Sequence, residues 1–163
     1  MNIFKMATLA ATITFALPVA VQAQSGPLPY GAPIGLDAAK KAVAAAEAEA
    51  KKNNFTMVIT VVDTGGHVVL MQRMDNTQIG SIRVAEAKAR TAAEFRRPTK
   101  AFQDAVAGGG EGLRSLATPG VIPMEGGELL VSGGKIVGAI GISGGTPPQD
   151  TEIARAGAAT LAK

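Results

Sequence analysis

Cysteine and tryptophan are absent from this chain, and histidine occurs once, as His67. No disulfide framework, cysteine-ligated zinc or thiol nucleophile can be built, and any site that needs several histidines is excluded. A Ser-His-Asp triad could form in only one way, around His67. No G-x-S-x-G elbow surrounds Ser115, Ser132 or Ser143. Aromatic residues make up 4% of the sequence, and the formal net charge is only +3. Lysine and arginine are scattered among glutamates, so the clustered cations and stacking rings that nucleic-acid binding needs are missing. No apolar run approaches the roughly 18 residues of a membrane-spanning helix.

The first residues have a different character. Lys5 precedes an apolar run from Met6 to Leu17, and Val21-Gln22-Ala23 ends in the small residues that a signal peptidase reads. Residues 1–23 are therefore expected to be a secretory signal peptide and the protein to be periplasmic or secreted. Residues 24–35, rich in proline and glycine, read as a linker, and 36–163 as one domain. Lys5 is the leader's one charge, so its removal leaves a net +2. All 20 glycines follow the leader, mostly in pairs and triplets between apolar runs, which is turn chemistry and close backbone approach.

Leu36, Ala39, Val43, Ala46 and Ala50 recur at 3-4-3-4 spacing and predict an amphipathic helix that ends at Asn53-Asn54. Phe55 to Val62 and His67 to Arg73 flank Asp63-Thr64-Gly65-Gly66 and predict a β-hairpin. A second helix is expected from about Ser81, with Ile82, Ala85, Ala89 and Ala93 inward, and a short third one runs from a Thr99 cap to Val106. A flexible loop then leads to Gly120. Three strands follow, Val121–Met124, Glu128–Val131 and Lys135–Ile142, before a last helix from Gln149 to about Ala162. The turns are too short for parallel crossovers. The pattern is α+β, an antiparallel sheet with helices on one face.

Several segments could carry chemistry. Ser143-Gly144-Gly145 runs into a helix N-terminus near Asp150, where glycine N–H groups and the helix dipole suit a carboxylate or phosphate. The same glycines could simply permit the turn, with Asp150 as a cap. Arg73-Met74-Asp75 leaves a strand for a loop, as the rim of a ligand pocket or as a surface ion pair. Lys88 lies in line with Ser81, Val84 and Thr91, and faces a pocket, a neighbouring subunit or solvent. His67 is a haem iron ligand, a general base or a half-exposed turn residue. Met57, Met71, Met74 and Met124 offer soft ligands or apolar wall, with Met57 read as core.

Taken together, VVDTGGHVVLMQRMD (61–75), SIRVAEAKARTAAEF (81–95) and PGVIPMEGGELLVSGGKIVGAIGISGGTPPQDTEIARAGAATL (119–161) resemble the GlcG/HbpS family, also met as the C-terminal domain of certain corrinoid adenosyltransferases. The resemblance runs from about Leu36 to the C-terminus. It implies a profilin-like α+β fold with a five-stranded antiparallel sheet, a homo-oligomer, and haem as cofactor, with some members degrading haem or binding iron. The positions that match its motifs are Asp63, Gly65 and Gly66; Arg73, Met74 and Asp75; Lys88; Gly126 and Gly127; Ser143, Gly144 and Gly145; and Asp150. Of these, Arg73, Lys88 and the Gly144-Gly145 backbone are expected to hold an anion.

The leading expectation is an exported haem-binding protein that handles or degrades haem. Met and Val walls and a cationic rim would receive haem at a shallow or subunit-interface site, with His67 or a methionine approaching iron. The alternative is an enzyme or binding protein for an organic acid or aldehyde at the glycine-lined pocket, with Lys88 and Asp75 or Asp150 as its polar groups.

Overall fold

In the computed structural model, which describes residues 26–161, the alanine-rich stripe forms helix α1, Leu36–Lys52. The leader reading for 1–23 lies outside the described residues. Ala39, Ala42, Val43, Ala46 and Ala50 of α1 are buried, while Leu36, at its first position, stays 48% exposed. Asp37 in the first turn and Lys51 and Lys52 in the last complement the helix dipole. Asn54 takes a left-handed conformation and ends the helix, as its position in the sequence predicts.

Strands β1 (Val58–Asp63) and β2 (Val68–Arg73) make the hairpin. Helices α2 (Ser81–Phe95) and α3 (Lys100–Ala107) follow. The stretch expected to be a flexible loop contains a 3₁₀ helix, Gly110–Ala117, packed so tightly on α3 that a side chain at Gly112 would overlap the Ala105 carbonyl. Strands β3 (Gly127–Ser132) and β4 (Lys135–Ser143) and helix α4 (Pro147–Ala158) complete the chain. The strands pair antiparallel in the order β2-β1-β4-β3.

The fold is thus α+β with an antiparallel sheet, but that sheet has four strands among the described residues, where five were expected. Val121–Met124 is the difference. Pro123 has no N–H to give a ladder, and the Ile122 N–H donates to the Thr91 hydroxyl at 3.0 Å, which ties this segment to α2. Helices also cover both faces of the sheet, not one. On one face α1 and α4 pack over Met57, Ile59, Val61, Ile140 and Ile142. On the other, Ala89, Ala92 and Ala93 of α2 meet Val62 and Ala139. Period-2 alternation therefore could not be read from β1, whose Val58 to Val62 are all buried.

Residues 29–34 run beside the start of β4. Ile136 donates to the Pro29 carbonyl and Ile34 to that of Val137. The Tyr30 hydroxyl donates to the Ala93 carbonyl at 2.7 Å, at the end of α2. No described helix is long and apolar enough to cross a membrane.

Candidate functional site

Strand register decides which of the motif residues meet. Val58 opens β1 and pairs with Arg73, the end of β2, and with Ser143, the end of β4. Gly127 opens β3 opposite Gly141. Arg73, Met74, Asp75, Gly126, Gly127, Ser143, Gly144 and Gly145 therefore gather at one end of the sheet, where α2 and α4 also begin. Asp63 and His67 lie at the other end. At roughly 3.3 Å per residue, the length of β1 alone puts about 17 Å between the two ends.

Lys88 is the best-buried charge at the motif end. Its side chain is fully buried, and Nζ donates to Asp150 Oδ2 at 2.7 Å and to the Ile142 carbonyl at 3.1 Å. Burial raises the Asp150 pKa, against the pull of Lys88 and of the Gly145 and Gly144 N–H groups. The Gly145 N–H donates to Asp150 Oδ1 at 3.0 Å. The anion seated in the glycine turn is thus the chain's own carboxylate. The α4 cap is supplied instead by a capping box between Thr146 and Gln149, in which Gln149 Oε1 accepts from the Thr146 N–H at 2.9 Å. Gly126, at φ 115°, lets the backbone pass over this pair, since a Cβ there would sit 2.9 Å from Lys88 Nζ.

Arg73, Met74 and Asp75 lie elsewhere at this end. The Met74 N–H donates to the Met57 carbonyl, and the Thr77 hydroxyl donates to that of Met74 at 2.8 Å, so the turn is tied to the start of β1. With Glu47, Lys51 and Gln72 the three residues line an open cleft of about 320 Å³. Lys51 is tied to Glu47 at 2.7 Å. Arg73 is exposed and forms no ion pair among the described residues, with Asp75 or any other carboxylate. Its charge is free for a ligand. The structure therefore separates the two expected cationic elements, with Lys88 sealed inside and Arg73 open to solvent.

Met57 is fully buried core, as read from sequence, and Met74 packs half-buried against the same cluster. Met71 is half-buried on β2 opposite Thr60. It shares the face that α2 covers over β1, β4 and β3, but among the described residues α2 does not reach across over β2. His67 has a side chain 82% exposed, with Nδ1 3.4 Å from Asp63 Oδ1. No group of three or more His, Cys, Asp or Glu side chains that could hold a metal ion occurs among the described residues.

Sequence reasoning passes over Glu125, Thr99 as a strand anchor, Gln103 and Thr151. Thr99 does not cap α3. Its hydroxyl accepts from the Gly127 N–H at 2.9 Å and fixes the start of β3. Glu125 is buried and accepts from the Thr151 hydroxyl at 3.3 Å. Its place directly before Gly126-Gly127 is the one signal for it in the sequence.

Residues 34–159 match the family model for the haem-degrading protein HbpS-like family. The chain is 41% identical to Protein GlcG of Escherichia coli strain K12 over 121 residues, 74% of this chain and 89% of that one. Among solved structures it is similar to Klebsiella pneumoniae protein ORFY, with 30% identity, a TM-score of 0.77, and coverage of 88% of this chain and 98% of that one. It is also similar to the crystal structure of a PduOC:heme complex, with 29% identity, a TM-score of 0.71, and coverage of 79% and 95%.

Proposed function

The chain belongs to the HbpS-like family, and from that premise we propose that it binds haem, at the open end of β2. The observation that carries this placement is Arg73, an exposed cation without an ion-pair partner among the described residues, next to the half-buried thioether of Met74. A haem propionate would take the guanidinium fork, and Met74 with the bare face at Met71 would meet the macrocycle edge. The fit is to one edge only. A cleft of about 320 Å³ cannot enclose a porphyrin, so the site is shallow, and a second copy of the chain would complete it. That is the reason to propose a homo-oligomer.

Bound haem supplies an iron centre. The chain would supply the propionate clamp through Arg73 and the apolar wall, and Met71 or Met74 would offer a thioether to the iron. His67 stands too far along β2 to reach the iron of a haem whose propionate Arg73 of the same subunit holds. Export to the periplasm or beyond is proposed on the Lys5-to-Ala23 leader pattern.

Haemin titration followed through the Soret region tests the binding proposal. Saturable, red-shifted absorbance at a fixed stoichiometry is expected, and featureless, non-saturating absorbance would overturn it. Light scattering on the same samples gives the oligomer number. The mass of the protein recovered from the periplasm or medium shows whether residues 1–23 have been removed.

A further inference from the structure

A second cleft, of about 300 Å³, opens between α3 and the first turns of α4, lined by Lys100, Glu125, Pro148, Thr151, Glu152 and Arg155. None of these residues belongs to the haem proposal. Glu125 is its floor. This residue is only 6% exposed, and Gln103 fixes it twice, accepting from the Glu125 N–H at 2.9 Å and donating to Oε1 at 3.4 Å. The Thr151 hydroxyl reaches Oε2 at 3.3 Å. Two long hydrogen bonds from neutral donors leave most of the acceptor capacity of a carboxylate unused. No ion pair to Glu125 forms among the described residues. A buried carboxylate in this condition is costly unless a cation reaches it.

The cationic side chains that line the cleft, Lys100 on α3 and Arg155 on α4, have the complementary chemistry. Lys100 is occupied, with Nζ on both oxygens of Asp104 at 2.7 and 2.8 Å. Arg155 is not. It gives only Nε to Glu128, at 3.2 Å, and both terminal NH₂ groups remain free among the described residues on a side chain that is 65% exposed. Two parallel N–H groups of a guanidinium match a carboxylate. The cleft thus presents a fixed, buried acceptor for an ammonium group and a free fork for a carboxylate. Its volume lies at the small end of ligand pockets, which begin at about 300 Å³.

We propose that this cleft is a binding site for a small amino acid, its ammonium group on Glu125 and its carboxylate on Arg155. The site is independent of the haem site, so either can fail without the other. Isothermal titration of the full chain with glycine and with L-alanine tests it, with ethylamine and propionate as probes that each lack one charged group. Saturable binding of glycine or L-alanine is expected, with both single-charge probes at least about tenfold weaker. Glu125→Gln and the surface variant Arg155→Met should each weaken the amino acid by a similar factor and leave haemin binding unchanged. Arg155 is largely exposed, so its variant folds even if the Glu125 variant does not. Absence of saturable heat with both amino acids, or undiminished affinity in Arg155→Met, would overturn the proposal.

Discussion

Lys88 Nζ lies 2.7 Å from Asp150 Oδ2, and the two side chains are 0% and 3% exposed. Their residues are 62 positions apart, so the bond fastens the middle of α2 to the first turn of α4. Removing one member strands the other in a site closed off from the surface. Lys88→Met and Asp150→Asn should each cost about 3–5 kcal/mol in urea unfolding. Lys88→Met with Asp150→Asn should cost clearly less than the sum, because neither charge is then left alone. Strictly additive losses would mean that the two groups act separately.

The close seat of α2 on the sheet depends on Gly141. A Cβ at that position would run into the Ala85 carbonyl and the Ala89 N–H, both helix backbone, which cannot rotate away. Gly141→Ala should destabilise by about 1–3 kcal/mol through overpacking. Gly80, before α2, has φ −57°, and a methyl group added there would meet nothing within 4 Å. Gly80→Ala should therefore be neutral or gain about 0.4–1 kcal/mol by restricting the unfolded chain. Thermal unfolding of the two variants against the parent separates these outcomes.

The same face holds an opposite case. Thr60 is fully buried, and its Oγ1 has no hydrogen-bond partner among the described residues. Thr60→Val replaces that hydroxyl with a methyl of similar shape. It should raise stability by about 1–3 kcal/mol, the cost of leaving a buried polar atom unsatisfied. A loss of stability would show that the hydroxyl is bonded in solution.

Local features are legible in the sequence because local physics makes them. The 3-4-3-4 alanines of α1, the Asn53-Asn54 stop and the hairpin turn at Asp63 all depend on near neighbours. What cannot be read depends on distant partners. By sequence Lys88 reads as a solvated lysine before it reads as a pocket residue, since Asp150 comes to it only through the packing of α4. Ser81, Lys88 and Thr91 form a second buried stripe on α2 because distant segments meet it there, Ser143 at Ser81, Asp150 at Lys88, and Gly120 and Ile122 at Thr91. Strand register brings the motif residues at 73–75 and 143–145 to the same end of the sheet, on either side of β1, and sends His67 to the opposite end.

Asp63 organises the hairpin turn. Its Oδ1 accepts from the Gly65 N–H at 2.8 Å and from that of His67 at 3.0 Å. Burial pushes its pKa up, but these two N–H groups and the His67 ring outweigh burial and hold it below the ordinary value of 3.8. A carboxylate with a lowered pKa stabilises the fold fully above its unfolded value, and that contribution is lost as pH falls through the folded one. Asp63→Ala should cost about 1–2 kcal/mol at neutral pH. The gap to the parent should stay constant down to about pH 4 and close below it. A gap that stays open below about pH 3 would mean that the carboxylate charge is not what holds the turn.

The ends of β2 make the last prediction sharp. Arg73 and His67 are separated by the length of the strand, about 20 Å at roughly 3.3 Å per residue, so they cannot serve one haem within one subunit. If Arg73 holds a propionate, Arg73→Gln should weaken haemin binding about tenfold, the loss of one charge-assisted hydrogen-bonded pair. The Soret position should stay in place, because the substitution leaves the thioethers of Met71 and Met74 untouched. Met74→Leu and Met71→Leu, tested singly, should show which thioether shifts the band. His67→Gln should leave both affinity and spectrum unchanged. A shifted Soret in His67→Gln with no effect in Arg73→Gln would move the site to the hairpin end of the sheet, with the imidazole as ligand.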